Sequence, residues 1–305
     1  MSQAPIPRVG FLKPWKSCAE QVGILASRGL QIADPVAAEK FLSHINYYRF
    51  SGYCLAFERS RHVFEPGVTF EHIRQAYVFD WTLRDLISDA LEVVEIDIRA
   101  TIAQHFGHKY GPFGHANAVN FFHRFNHPEW IEKLHEESMR SSELFVVHFR
   151  RTYLEFPDLP IWMSTEIMSL GALSKRANGM FKDDLKVVGR KYNLQPQDFP
   201  DWIHHLVYVR NLCAHHARIW DRTWAIKPTL PAAFAWQPPK LPGNNRLFVT
   251  LLILSSMLKR CPSMTDFRAG WRKRIEEHIK NPPAAPDALG KMGLTANWFA
   301  HPFWL

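Results

Sequence analysis

Residues 71 to 107 read EHIRQAYVFDWTLRDLISDALEVVEIDIRATIAQHFG, and this stretch decides the fold class. Within it Leu83, Ile87, Leu91, Val94, Ile98 and Ile102 follow one another at intervals of three or four. That spacing stacks side chains on one face of an α-helix, because successive turns bring every third or fourth residue back to the same side. No proline interrupts the run, and Gly107 is the expected stop. The spacing predicts one long buried helix.

Outward from this helix, apolar residues keep helical rather than alternating spacing. Further helices are expected at Ser17 to Arg28, Pro35 to Ile45, Pro128 to Glu155, Ile161 to Phe181, Asp183 to Tyr192, Asp201 to Ile219, Arg246 to Lys259 and Thr265 to Lys280. Proline clusters mark the joints, since each proline fixes its own φ and pushes the preceding residue out of the helical region. They fall at Pro112, at Pro157 and Pro160, at Pro196 and Pro200, between Pro228 and Pro242, and from Pro282 to Pro286. Strands are scarce, so the fold class is all-α. The tyrosine-rich stretch Asn46 to Tyr53 is expected as a packed loop or short edge element, with Tyr47, Tyr48 and Arg49 either packing or facing RNA.

A hydrophobic content of 47% in 305 residues supplies a real core and excludes a disordered chain. Cys18, Cys54, Cys213 and Cys261 form no CxxC pair, so neither a zinc ribbon nor a disulfide framework is indicated, and a reducing cytoplasm is the expected location. Met1 to Arg8 holds two prolines and no continuous apolar segment, against a secretory signal. The longest apolar run, Leu247 to Leu254, falls short of the about 20 residues a membrane span needs. The net charge of +8 is uneven: residues 201 to 305 hold 14 Lys and Arg against 6 Asp and Glu, which is the whole excess. Such a local surplus fits a polyanionic partner or a solvated basic face.

The helix from Asp201 carries two stripes. Trp202, Leu206, Val209 and Cys213 form an apolar one, and His204, Tyr208, Asn211, His215 and Arg218 a polar one. Arg210 sits five residues before His215, about 140° around the helix and about 7.5 Å along it. Metal-free RNA cleavage needs a base for the ribose 2′-hydroxyl, an acid for the 5′-oxygen and a cation for the charge building on phosphorus. Histidine serves as base or acid near neutral pH, and arginine supplies a permanent forked donor for phosphate oxygens. Asn211, one turn from His215, can orient either group. The bare spacing also fits a plain structural role, with Arg210 in a salt bridge and His215 packed.

The segment Arg210-Asn211-Leu212-Cys213-Ala214-His215-His216-Ala217-Arg218-Ile219-Trp220-Asp221-Arg222 resembles the signature of the Abi-like family of abortive-infection proteins, of the AbiD/AbiF type, within the HEPN superfamily. Other stretches resemble the same family in order: Lys13-Pro14-Trp15, Arg28-Gly29-Leu30, Ile45 to Tyr53, Phe79 to Arg84 with Glu95 to Arg99, Leu159 to Glu166, and Ser169 to Ser174. The resemblance spans roughly residues 12 to 225. It implies a HEPN-like helical bundle with helical extensions: an N-terminal segment over 1–68, a core over 69–225 and a basic extension over 226–305. It further implies a phage-defence toxin that cleaves RNA without cofactor or metal at paired Arg-x4-6-His motifs. Carried over by position, Arg210 binds phosphate, Asn211 orients and His215 transfers the proton. His216 also satisfies the spacing; His215 is preferred because it shares a helix face with Asn211. One motif per chain implies a homodimer.

Arg84, Ser88, Glu92, Glu95 and Arg99 form a second polar stripe on the long helix, with Glu95 and Arg99 spaced for an ion pair. Glu95, Arg99 and Arg218 rank as supporting residues, equally readable as structural. The pairs His204-His205 and His215-His216 lack an HExxH pattern or a matching carboxylate, so no metal site is expected. Arg222, and Arg272, Lys273 and Arg274 with Trp271 interleaved, suit RNA contact, with the aromatic ring free to stack. Three functions follow: an endoribonuclease toxin silenced by an antitoxin or a noncoding RNA, a non-catalytic module that holds RNA, and a dimerising scaffold.

Overall fold

The structure is a computed structural model that describes Gly10 and residues 12 to 305. The expectation for Met1 to Arg8 lies outside the described residues. Among those residues the chain forms thirteen α-helices and one two-stranded sheet, so the fold is all-α. It divides into two compact units, one comprising Met1–Tyr77 with Pro283–Pro286, the other Val78–Pro282 with Asp287–Leu305.

In the first unit, α1 (Cys18–Ser27) opens on a capping box in which Ser17 and Glu20 satisfy each other's backbone N–H groups. Helix α2 (Pro35–Ile45) starts with Asp34 as cap and Pro35 in the first turn, where its missing N–H costs nothing. The tyrosine-rich stretch is neither loop nor edge: it forms α3 (Tyr47–Cys54), begun by Asn46 in the left-handed region with its side chain accepting from Tyr48 N–H. Phe50 and Tyr53 are buried, and Tyr48 is exposed. Phe50 stacks on Phe70 at 4.7 Å, and Phe41 meets both rings edge-on. A short antiparallel hairpin of β1 (Glu58–Ser60) and β2 (Val63–Phe64) follows, with Ser60 opposite Val63.

The long helix is α4 (Phe70–Tyr110), 41 residues and about 60 Å. The division between units falls within it. Every residue of the expected apolar series, Leu83 through Ile102, is buried. Gly107 does not stop it; the helix runs on to Tyr110 and ends at Gly111, whose φ of +76° suits glycine. Gly107 instead allows a close approach, since a Cβ there would stand 3.2 Å from the Ile161 side chain.

Two expected helices are each broken in two. Helices α5 (His127–Arg140) and α6 (Leu144–Thr152) are separated by extended Ser141, and α7 (Ile161–Ile167) and α8 (Leu170–Gly179) by Ser169, which caps α8 through Ala172 N–H. Serine competes for backbone hydrogen bonds and favours such breaks. Helix α9 (Lys182–Lys191) leads to α10 (Asp198–Ala214). Pro200 sits inside the first turn of α10 rather than at a joint, for the same reason that Pro35 is tolerated. Helix α11 (Leu247–Leu258) is buried all round, with eleven of its twelve residues inside, which is what its unbroken apolar run is for. Helices α12 (Thr265–Ile279) and α13 (Ala288–Lys291) complete the second unit, so residues 226–282 and 287–305 share one core with those from Val78 onward.

Candidate functional site

A groove of about 650 Å³ runs between α4 and the C-terminal end of α10. All five residues of the α4 polar stripe, Arg84, Ser88, Glu92, Glu95 and Arg99, line it. Across from them stand Arg210 and His216, with Cys213 at the base. The helical repeat therefore places the stripe correctly.

Helix α10 ends earlier than its pattern suggests, and this changes the histidine. The expected helix reaches Ile219, but the last helical residue is Ala214. His215 is the C-cap, exposed, its N–H turned back to Asn211 O at 3.0 Å. His216 adopts φ +55°, a left-handed turn that side chains reach only when other contacts hold them there. His216, not His215, is the one that lines the groove. His215 thus still stands one turn above Asn211, as their shared face predicts, but neither of the two lines the groove. Asn211 is exposed and outside the groove lining, its Oδ1 at a long 3.5 Å from Arg210 Nη1.

The turn is held from α4. Asp80 is fully buried, and its Oδ1 accepts from Trp220 N–H at 2.8 Å and Ile219 N–H at 3.1 Å. Arg84 Nη1 donates to Asp80 Oδ2 at 2.6 Å and to Ala217 O at 3.3 Å. A buried carboxylate and guanidinium one turn apart thus fix the segment from Ala217 to Trp220 that directly follows His216. The sequence reading assigned Asp80 no role; an acid and a base at i and i+4 inside an otherwise apolar helix face was the available signal.

Arg99 is committed to structure. It donates to the carbonyls of Thr165 at 2.6 Å and Met168 at 2.7 Å, closing the C-terminal end of α7, and pairs with Glu95. Arg84 and Arg99 both stand in ion pairs; among the described residues Arg210 makes none. Arg210 is therefore the groove's guanidinium available to a phosphate. Asp85, Glu92 and Glu166 also line the groove, giving it several carboxylates. Burial pushes the Cys213 thiol up to about 12, so it is neutral at physiological pH and no nucleophile.

The remaining candidates lie elsewhere. Arg218 pairs with Asp221 at 2.9 Å, and Arg222 Nη1 donates to Arg218 O at 3.2 Å. Arg272 donates to Leu305 O at 3.0 Å, Arg274 pairs with Asp89 at 2.8 Å, and Lys273 is exposed. Trp271 is fully buried with its indole N–H on Leu86 O at 2.7 Å, so its ring has no face for a base, contrary to the expectation of stacking. His204 is exposed and His205 buried, and among the described residues no three His, Cys, Asp or Glu side chains are grouped to hold a metal.

The family model described as Abi-like protein matches residues 40–221, more than half of the sequence and inclusive of both walls of the groove. This chain belongs to the Abi-like protein family. Membership points to a part in abortive infection. The match takes in α3, the α4 stripe, the break between α7 and α8, and the Arg210 to His216 turn. No curated protein and no solved structure matches the chain. Among the described residues, no helix of this Abi-like protein is long and apolar enough to cross a membrane.

Proposed function

We propose that this Abi-like protein is a metal-independent endoribonuclease toxin of the HEPN type, acting in phage defence as a homodimer. The observation that carries the reading is the meeting of Arg210 and His216 on one groove, with Arg210 unpaired and His216 held by a buried anchor. Arg210 binds the scissile phosphate and offsets the charge that builds on phosphorus. His216 takes the proton of the 2′-hydroxyl or returns one to the departing 5′-oxygen. One chain supplies one groove histidine, whereas the reaction uses a base and an acid together. A second copy supplies the other, and exposed Trp81 and Ile96 beside the groove are the apolar surface such a copy covers. An antitoxin or a noncoding RNA occupying the same groove keeps the toxin silent.

Purified protein should cut single-stranded RNA in the presence of chelator, leaving 2′,3′-cyclic phosphate and 5′-hydroxyl ends. Arg210→Ala and His216→Ala should each abolish cutting and relieve toxicity on expression. Intact RNA recovered with tightly bound wild-type protein would instead establish the RNA-holding alternative, which rests on the basic excess after residue 200.

A further inference from the structure

A second cleft of about 650 Å³ lies at the opposite end of α10, bounded by residues 192–198, the loop from Thr229 to Trp236, the end of α11, and Pro302 and Phe303. It shares no lining residue with the groove. Asp198 and Arg210 are about 18 Å apart along the helix.

One wall ends in the half-buried ring of Phe303, fixed in place over two buried tryptophans. Phe303 lies flat on Trp236 at 4.5 Å and 28°, and Trp236 meets Trp202 edge-on at 5.1 Å. Trp202 Nε1 donates to Thr229 O at 2.9 Å, and Thr229 N–H donates to Asp201, tying the loop to α10. His301 Nε2 donates to Ala235 O at 2.8 Å while its Nδ1 accepts from Phe303 N–H at 3.2 Å, which seats the phenyl ring. A wall already ordered loses little entropy when a ligand arrives.

The rim is the reverse, a set of polar groups with nothing to hold. Lys259 and Arg260 follow α11 directly, are exposed, and make no ion pair among the described residues. Their neighbours on α12 are engaged: Arg268 donates to Ser255 O at 3.0 Å and Arg274 pairs with Asp89. The amides of Asn193 and Gln195, also lining the cleft and exposed, make no side-chain hydrogen bond among the described residues. Asp198, buried at the cleft, adds a carboxyl.

These features select a ligand chemistry. A wholly apolar ligand leaves two cations and the amides unused. A bare inorganic anion leaves the aromatic wall unused, and a ligand anionic throughout meets Asp198. What remains is a flat ring with hydrogen-bonding edges and its negative charge confined to one end. We propose that this cleft binds a nucleoside phosphate, with the phosphate at Lys259 and Arg260 and the base against the half-buried ring of Phe303. Its volume falls within the roughly 300–1,000 Å³ of small-molecule sites. The proposal stands whether or not the groove cleaves RNA.

Calorimetric titration of the full chain with the four ribonucleoside 5′-monophosphates, the matching nucleosides and inorganic phosphate tests it. At least one monophosphate should bind tenfold or more tightly than its nucleoside and than phosphate alone. The double variant Lys259→Ala/Arg260→Ala should weaken that monophosphate at least tenfold and leave nucleoside binding unchanged. Phe303→Ala should weaken both; because the two cations are exposed, the double variant keeps the test sound even where Phe303→Ala unfolds. A 5′-phosphorylated oligoribonucleotide, titrated into the Arg210→Ala variant, separates two sources: tighter binding than the monophosphate assigns the cleft to an RNA end, equal binding to a free nucleotide. Absence of monophosphate binding at millimolar concentration, equal binding of inorganic phosphate, or an unaffected double variant overturns the proposal.

Discussion

Two pairs of adjacent histidines flank the same stretch of α10, and the environments of His205 and His216 are opposite. His205 is fully buried, Nδ1 on Ile226 O at 2.8 Å and Nε2 on Thr250 Oγ1 at 2.9 Å, so both nitrogens are occupied. A carbonyl only accepts, which fixes the proton on Nδ1 and makes Nε2 the acceptor of the threonine hydroxyl. Burial pushes its pKa down to about 4. His216 is exposed and lines the groove with Arg210, at φ +55° and directly ahead of the segment that Asp80 and Arg84 bind. The residue type is the same; burial with both nitrogens bonded makes one a structural clamp, while the other lies exposed on the groove.

The comparison breaks first at Asp80. Asp80→Ala strips Arg84 of its buried partner and frees the Ile219 and Trp220 N–H groups, and should cost about 3–5 kcal/mol, since an uncompensated buried charge is left behind. Urea denaturation measures it. A loss under about 1 kcal/mol would show that the pair does not hold the turn.

His205→Gln comes next, at roughly 2–4 kcal/mol, because the shorter amide cannot reach both Ile226 O and Thr250 Oγ1. The same variant tests the titration. In the folded chain His205 stays neutral down to about pH 4, whereas the unfolded chain takes up a proton near pH 6.5. Its contribution is therefore complete above pH 6.5 and is lost as pH falls toward 4, by on the order of 3 kcal/mol. His115, which burial pushes down to about 3, adds a limb in the same direction. The signature is thus the difference: stability against pH should be flatter for the variant than for the parent between pH 6.5 and 4. Parallel curves would contradict a neutral buried His205.

How much of this was legible follows from which forces act locally. The α4 series and the α4 polar stripe were readable because helical periodicity is a property of neighbouring residues, and all of those residues lie where the period puts them. The ends of α10 were not. Its early start rests on the tolerance of a first turn for Pro200, and its early end on long-range bonds from Asp80 and Arg84, 130 residues and more away in sequence. The choice between His215 and His216 hung on that end, and it is His216 that the turn brings to the groove. Trp271 failed for a related reason: a tryptophan among arginines reads as a stacking platform until the fold buries it against Leu86.

The smallest effect on stability carries the sharpest test of the comparison. His215→Ala and His216→Ala each remove an exposed side chain and should change stability by less than about 0.5 kcal/mol. Their effects on RNA cleavage should part company. Loss of a positioned general acid or base costs about 100-fold or more, which is expected of His216→Ala because that ring lines the groove with Arg210. His215→Ala should fall by less than about threefold, since the cap role of that residue is played by its backbone N–H, which alanine keeps. Initial rates on a labelled single-stranded RNA, at matched protein concentration, decide between them. A large loss in His215→Ala with His216→Ala active would mean that the turn rearranges when RNA or a second copy arrives, and that the left-handed residue 216 is a hinge rather than the reacting group.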